Sequence, residues 1–251
     1  MRDALPSDSH DLVDLNTRSA QSKRMSAIQG SLFGHSPVSF DPDFRAIRRQ
    51  ELSAGAWVDH APGFLHGHER LLAQLGTTTE WQQEQRAMYD RIVAVPRLVA
   101  NVPDHSPGHP ILTRLRDALS AYYDVELTHT SLALYRDGAD SVAWHGDRIA
   151  RELPQSMVVT LSLGAPRPFR LRPKERSPKT RRRALGWNLG WGDLVVMGGT
   201  CQRTWEHAVP KQRHADPRMV VMFRPTWRGA DIPTQREPAQ RSKSAPEERA
   251  A

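Results

Sequence analysis

From residue 128 to residue 224 the chain repeats one pattern: short runs rich in Val, Leu, Thr and Phe, each closed by Gly, Pro, Asp or Arg. The runs fall at 128–135, 156–163, 167–172, 184–189, 193–197, 203–209 and 217–224. Apolar and β-branched runs bounded by turn residues predict strands. Short strands at this rhythm suit a sandwich or jelly roll.

Ahead of the strands, two segments carry a helical period instead. His66 to Leu75 ends against Gly76, as a helix C-terminus does. Pro110 opens a segment whose Ile111, Leu112, Leu115, Ala118, Leu119 and Tyr122 share one stripe. The predicted fold is therefore mainly β, with flanking helices packed against a sheet. Residues 1–30 are polar, with no sustained apolar period, and read as a disordered extension, so that Met25 is an alternative start. Residues 229–251, rich in Pro, Ala, Ser, Glu and Arg, read as a disordered tail. Between them, residues 31–228 form one domain with enough chain for a substantial core.

Charge changes this picture in one place. The chain has 35 basic and 28 acidic residues, a net charge of +7. The excess is concentrated from Arg167 to Arg183, where nine basic residues, ending in Arg181, Arg182 and Arg183, stand against the single acid Glu175. A patch of this density suits a phosphate backbone; the bland reading is a solvated hairpin loop. The single cysteine, Cys201, excludes an intrachain disulfide framework and points to a reducing compartment. No apolar run reaches membrane-spanning length and no signal-peptide pattern opens the chain, so a cytoplasmic protein is expected.

The candidate chemistry lies among five residues of the C-terminal half: His145, Asp147, His207, Arg218 and Arg224. Two imidazoles and a carboxylate can hold one face of an octahedral ferrous ion and leave positions open for a bidentate co-substrate and O2. Arg218 and Arg224 flank the run Met219 to Phe223 at an even spacing, so both point to the same side of a strand. They stand about 20 Å apart at roughly 3.3 Å per residue, and their side chains must lean inward to grip one small diacid. Planar guanidinium forks suit carboxylates. The set reads as Fe(II) plus 2-oxoglutarate.

In these segments the chain resembles the AlkB-type nucleic-acid dealkylases over roughly residues 85 to 228. The resembling stretches are Leu134 to Gly138, Asp140 to Asp147, Val159 to Gly164, Gly192 to Gly199, Trp205 to Lys211 and Pro217 to Arg224. Cys201 to His207 is similar to a bacterial branch of that family. The resemblance implies a double-stranded β-helix, with iron held by His145, Asp147 and His207 and 2-oxoglutarate by Tyr135, Arg218 and Arg224. It also implies that a carbon on a base nitrogen is hydroxylated and then leaves as formaldehyde. Residues 85–103 correspond to the family's nucleotide lid, which makes Arg86, Met88, Tyr89 and Arg91 candidate substrate contacts; for Met88 and Tyr89 core packing is the alternative. Trp144 is a candidate for shaping the pocket, and Arg181, Arg182 and Arg183 for holding phosphates. The expected partner is nucleic acid, single-stranded or locally opened, bound by a monomer.

The chain departs from the family pattern at several points. Ala133 and Val220 stand where relatives commonly carry an Asn near 2-oxoglutarate. Arg148-Ile149-Ala150 replaces an acidic contact to the base, and Ala100-Asn101-Val102 offers no ring for stacking. These departures leave two alternatives: the same centre acting on a protein or small molecule, or a nucleic-acid-binding protein without turnover. His66, His68 and His129 are expected to be structural or surface residues, and Cys201 a packed thiol.

Overall fold

Alternation along each strand decides which face it buries, and here two different cores claim the two faces of one sheet. A computed structural model of the protein describes residues 37–88, 91–103, 110–147, 153–175 and 184–226. The extensions expected at 1–30 and 229–251, the alternative start at Met25 and the segment Arg148-Ile149-Ala150 lie outside these residues.

In chain order the elements are β1 (Ser39–Phe40), β2 (Arg48–Glu51), β3 (Ala56–Ala61), β4 (Leu65–His66), helix α1 (His68–Thr78), β5 (Gln82–Met88), β6 (Arg91–Val102) and helix α2 (Pro110–Tyr123). They continue with β7 (His129–Tyr135), β8 (Val142–His145), β9 (Val158–Gly164), β10 (Arg167–Pro173), β11 (Leu185–Leu189), β12 (Leu194–Gly199), helix α3 (Cys201–Thr204), β13 (Trp205–Val209) and β14 (Arg218–Arg224). An 8-stranded sheet runs in the order β2, β3, β12, β9, β14, β7, β6, β5, and a 4-stranded sheet in the order β11, β10, β13, β8. Neighbouring strands pair antiparallel.

On one face of the large sheet Leu132, Leu134, Leu161, Leu163, Met219, Val221 and Phe223 pack with Leu71, Leu72 and Leu75 of α1 and Leu112, Leu115 and Leu119 of α2. On the other face Ala133, Tyr135, Val158, Met197 and Val220 meet Phe169, Leu171, Trp205 and Val209 of the small sheet. The result is the double-stranded β-helix, a jelly roll with helices outside, and the space between the two sheets holds the candidate chemistry.

Several local expectations change. Helix α1 begins at His68, behind Gly67 in the left-handed region (φ 67), and runs through Gly76 to Thr78. A glycine inside a helix costs about 1 kcal/mol; here the buried leucines and the bonds from Thr77 and Thr78 hydroxyls to Gln74 O carry the helix one turn further. Tyr122 of α2 is 48% exposed rather than buried on the stripe. The run expected at 203–209 starts as a helical turn, with strand only from Trp205.

The hairpin of β5 and β6 was not legible as strand, because β5 is polar from Gln82 to Arg86 and β6 contains Pro96. A register shift between Gln83 and Gln85 accommodates that proline: it sits in a bulge, where the ladder needs no N–H from it. The side-chain amide of Gln83 donates to the carbonyls of Val95 and Arg97, which steadies the bulge.

Candidate metal centre

His145 and His207 face each other across the β8–β13 ladder, paired directly in register. Their ring centroids are 4.2 Å apart. Asp147 lies just beyond the end of β8, with its Oδ1 3.9 Å from His145 Nε2. Ligand atoms of the three residues all lie within 4.8 Å of one another, and among the described residues no other group of three His, Cys, Asp or Glu does so. His66, His68 and His129 therefore take no part.

His145 and Asp147 are held from behind. His145 Nδ1 lies 2.9 Å from Ala143 O; a carbonyl only accepts, so Nδ1 carries the proton and the Nε2 lone pair faces Asp147 and His207. The Asp147 N–H donates to Gln202 Oε1 at 2.9 Å, and Asp147 Oδ2 accepts from Arg224 Nε at 2.7 Å. Gly146 has no room for a side chain, because Gln202 O stands where its Cβ would be. Helix α3 thus fixes the turn between the two ligands of His-Gly-Asp.

Electrostatics favour the ligating forms. Burial, reinforced by His145, pushes His207 down to about 3, and burial lowers His145 as well. For Asp147 burial opposes ionisation, but the Arg224 guanidinium together with the two histidines outweighs it and holds the carboxyl well below the usual range. Two neutral imidazoles and one carboxylate, converging without protons to lose, are a donor set that fits a divalent iron.

At the other end of β14 from Arg224 is a cradle for an anion. Arg218 is buried, with Nη2 donating to Ser162 Oγ at 2.8 Å, while its Nε and Nη1 have no hydrogen-bond partner. Burial lowers this guanidinium to about 10. Its carbon lies 5.5 Å from the centre of the Tyr135 ring, and that of Arg167 lies 5.7 Å from it. A buried cation with two open donors fits one carboxylate of a diacid. Arg224 is placed differently from the expectation of two equivalent grips. All its nitrogens meet protein atoms: Asp147 Oδ2, Ser131 Oγ at 2.8 Å and Met222 Sδ at 3.3 Å.

The other expected contacts divide. Trp144 lies on the opposite face of β8 from His145, with the Arg172 guanidinium 3.7 Å above its ring centroid and Arg172 paired to Glu206 at 2.7 Å. It does not line the triad, because adjacent strand residues point to opposite faces. Part of the basic run is also structural. Arg167 is fully buried and donates to the carbonyls of Asp137, Asp140 and Pro210, and Lys174 donates to Gln202 O. The described backbone places Arg86 and Met88 in β5 and Arg91 in β6. Their side chains, together with Tyr89, Arg181, Arg182 and Arg183, lie outside the described residues. Cys201 is buried, and its thiol is pushed up to about 12 by that burial, which makes it a packed residue. Gln202 and Arg97 were not singled out from sequence. Arg97 donates to the Tyr135 hydroxyl at 3.2 Å, and its signal was a lone arginine inside the apolar run Ile92 to Val102.

Two histidines and an aspartate that converge on one point, on a jelly roll that also carries a buried arginine with open donors, are the donor set of a mononuclear iron oxygenase that takes a diacid co-substrate. Residues 61–237 match the 2OG-Fe(II) oxygenase superfamily. The chain is 30% identical over 191 residues to human alpha-ketoglutarate-dependent dioxygenase alkB homolog 3, covering 67% of each chain. It is also 30% identical over 122 residues to human DNA oxidative demethylase ALKBH2, covering 47% of each. A 2OG-Fe(II) oxygenase family oxidoreductase from Burkholderia pseudomallei aligns with a TM-score of 0.47 at 15% identity, over 68% of this chain and 85% of that one. The chain belongs to the 2OG-Fe(II) oxygenase superfamily, among its AlkB-type members. Its metal, co-substrate and oxidant are accordingly Fe(II), 2-oxoglutarate and O2.

Proposed function

We propose that this chain is an oxidative dealkylase of nucleobases. The observation that carries the reading is the converging set His145, Asp147 and His207, on the same fold as the open donors of Arg218, in a chain related to alkB homolog 3. His145, Asp147 and His207 hold the iron. Tyr135, Arg218 and Arg224 receive 2-oxoglutarate, and Arg224 also pairs with Asp147. When bound, iron with 2-oxoglutarate and O2 supplies oxidation of a C–H bond, with 2-oxoglutarate leaving as succinate and CO2. The hydroxylated alkyl group then departs from the base nitrogen as formaldehyde. The two sheets keep water away from the reacting carbon.

The substrate strand is single or locally opened, since a damaged base leaves a stack more readily than a paired one. Arg86, Met88, Tyr89 and Arg91 are the candidate contacts to the base, and Arg181, Arg182 and Arg183 the candidate contacts to its phosphates. The protein acts as a monomer in the cytoplasm, a placement that suits the single reduced Cys201. Among the described residues no helix is long and apolar enough to cross a membrane. The alternatives that keep the centre for a protein or small molecule, or that lose turnover, are not favoured beside relatives named as demethylases.

Formaldehyde and succinate released from a methylated oligonucleotide test this assignment. The two should appear in equal amounts with the unchanged chain and vanish with Asp147→Ala. Undiminished release from Asp147→Ala would remove Asp147 from the centre.

A further inference from the structure

Arg97 is the charged group that the triad does not explain. A lone guanidinium inside an apolar strand carries a desolvation cost that persists only where the charge is used. Past the bulge that holds Pro96, the ladder resumes with Leu98 opposite Leu134 and Val99 opposite Ala133. That register brings Arg97 level with Tyr135, and Tyr135 in turn is paired with Arg218. Three polar side chains therefore stand in one row across β6, β7 and β14, on the face that looks toward the metal centre.

Within this row the direction of hydrogen bonding is fixed. A guanidinium has donors and no acceptor, so in the 3.2 Å contact Arg97 Nη1 donates and the Tyr135 oxygen accepts. The Tyr135 hydroxyl proton is left over, and among the described residues nothing accepts it. Arg218 Nε and Nη1 and Arg97 Nε are likewise buried without a partner. The row thus offers donors alone, which suits a carboxylate. The adjoining row, Val99, Ala133 and Val220, is aliphatic and supplies no amide donor.

We propose that Arg97 is a positioning residue for 2-oxoglutarate: its bond to Tyr135 commits the tyrosine oxygen as acceptor, so that the hydroxyl proton is donated to the carboxylate held by Arg218. The inference rests on the co-substrate reading above. It assigns the work of the absent amides at Ala133 and Val220 to a longer side chain on the neighbouring strand.

The test is calorimetric titration of the full chain with 2-oxoglutarate, loaded with Mn(II) so that no turnover occurs. It compares Arg97→Met, Tyr135→Phe and the double variant. Arg97→Met should weaken 2-oxoglutarate binding about tenfold or more, the usual effect of losing a charge-assisted hydrogen bond. It should leave Mn(II) affinity unchanged and weaken nothing further in the Tyr135→Phe background. Arg97→Gln replaces Arg97→Met if that variant does not fold. Unchanged 2-oxoglutarate affinity in the Arg97 variant, or equal weakening with and without the Tyr135 hydroxyl, overturns the proposal. Failure of the unchanged chain to bind 2-oxoglutarate overturns both the proposal and the co-substrate reading; binding that Arg97→Met leaves intact overturns the proposal alone.

Discussion

Asp147 is held on three sides, and each hold comes from a different part of the chain. Arg224 takes one carboxylate oxygen, Gln202 takes the backbone N–H, and Gly146 leaves the gap that lets helix α3 close on the turn. Outer residues of this kind change metal affinity by about 10–100-fold when removed. Gly146→Ala and Gln202→Leu should each weaken Fe(II) or Mn(II) binding by about that factor, measured by titration of the metal-free chain; unchanged affinity in both would mean that α3 does not orient Asp147. His145, Asp147 and His207 were legible in the sequence, because residue type and order alone define a facial triad. Arg224 was legible as a functional arginine, but its partner was not: that it meets Asp147 depends on how β14 passes the end of β8. Gln202 and Arg97 were opaque for the same reason. A lone polar residue declares itself only when its cross-strand neighbour is known.

At the scale of elements, strands β7 and β9 to β14 were readable because each buries at least part of an apolar run and turn residues bound those runs. The strands before residue 103 were not. β2 is exposed along its whole length, β5 is polar, and β6 breaks a rule that holds for regular ladders but not for a bulge. Helix α2 followed its stripe from Pro110, whose fixed φ suits a first helical position, while α1 overran Gly76 because packing outweighed propensity. Leu115 has no exposed surface and joins α2 to the large sheet. Leu115→Ala should cost about 2–5 kcal/mol, read from urea unfolding. A loss well under 1 kcal/mol would mean that α2 is dispensable to the core.

For the whole molecule, folding buries several histidines that water would otherwise charge. His60 and His68 are lowered by burial, as are His145 and His207. The folded metal-free chain keeps these rings neutral, while the unfolded chain protonates them below about pH 6.5. The unfolded state then binds more protons, so stability falls as pH drops through about 6.5 and is flat just above it. Denaturant midpoints of the metal-free chain at successive pH values check this, and a midpoint that rises on acidification would contradict it. The same two-sheet frame that lowers the histidines also sets Arg218 opposite Tyr135, so that fold and site are one arrangement. The basic run from Arg167 was legible as charge, yet its described members are divided between buried carbonyl contacts, ion pairing and solvent. Sequence counts charges without saying which of them folding consumes.

The central claim is that this arrangement removes an alkyl group from a base. Mass spectrometry of a single-stranded oligonucleotide carrying N1-methyladenine or N3-methylcytosine, incubated with the full chain, Fe(II) and O2, tests it most directly. Loss of the methyl mass is expected only when 2-oxoglutarate is present. An oligonucleotide that keeps its methyl group while succinate accumulates would contradict it.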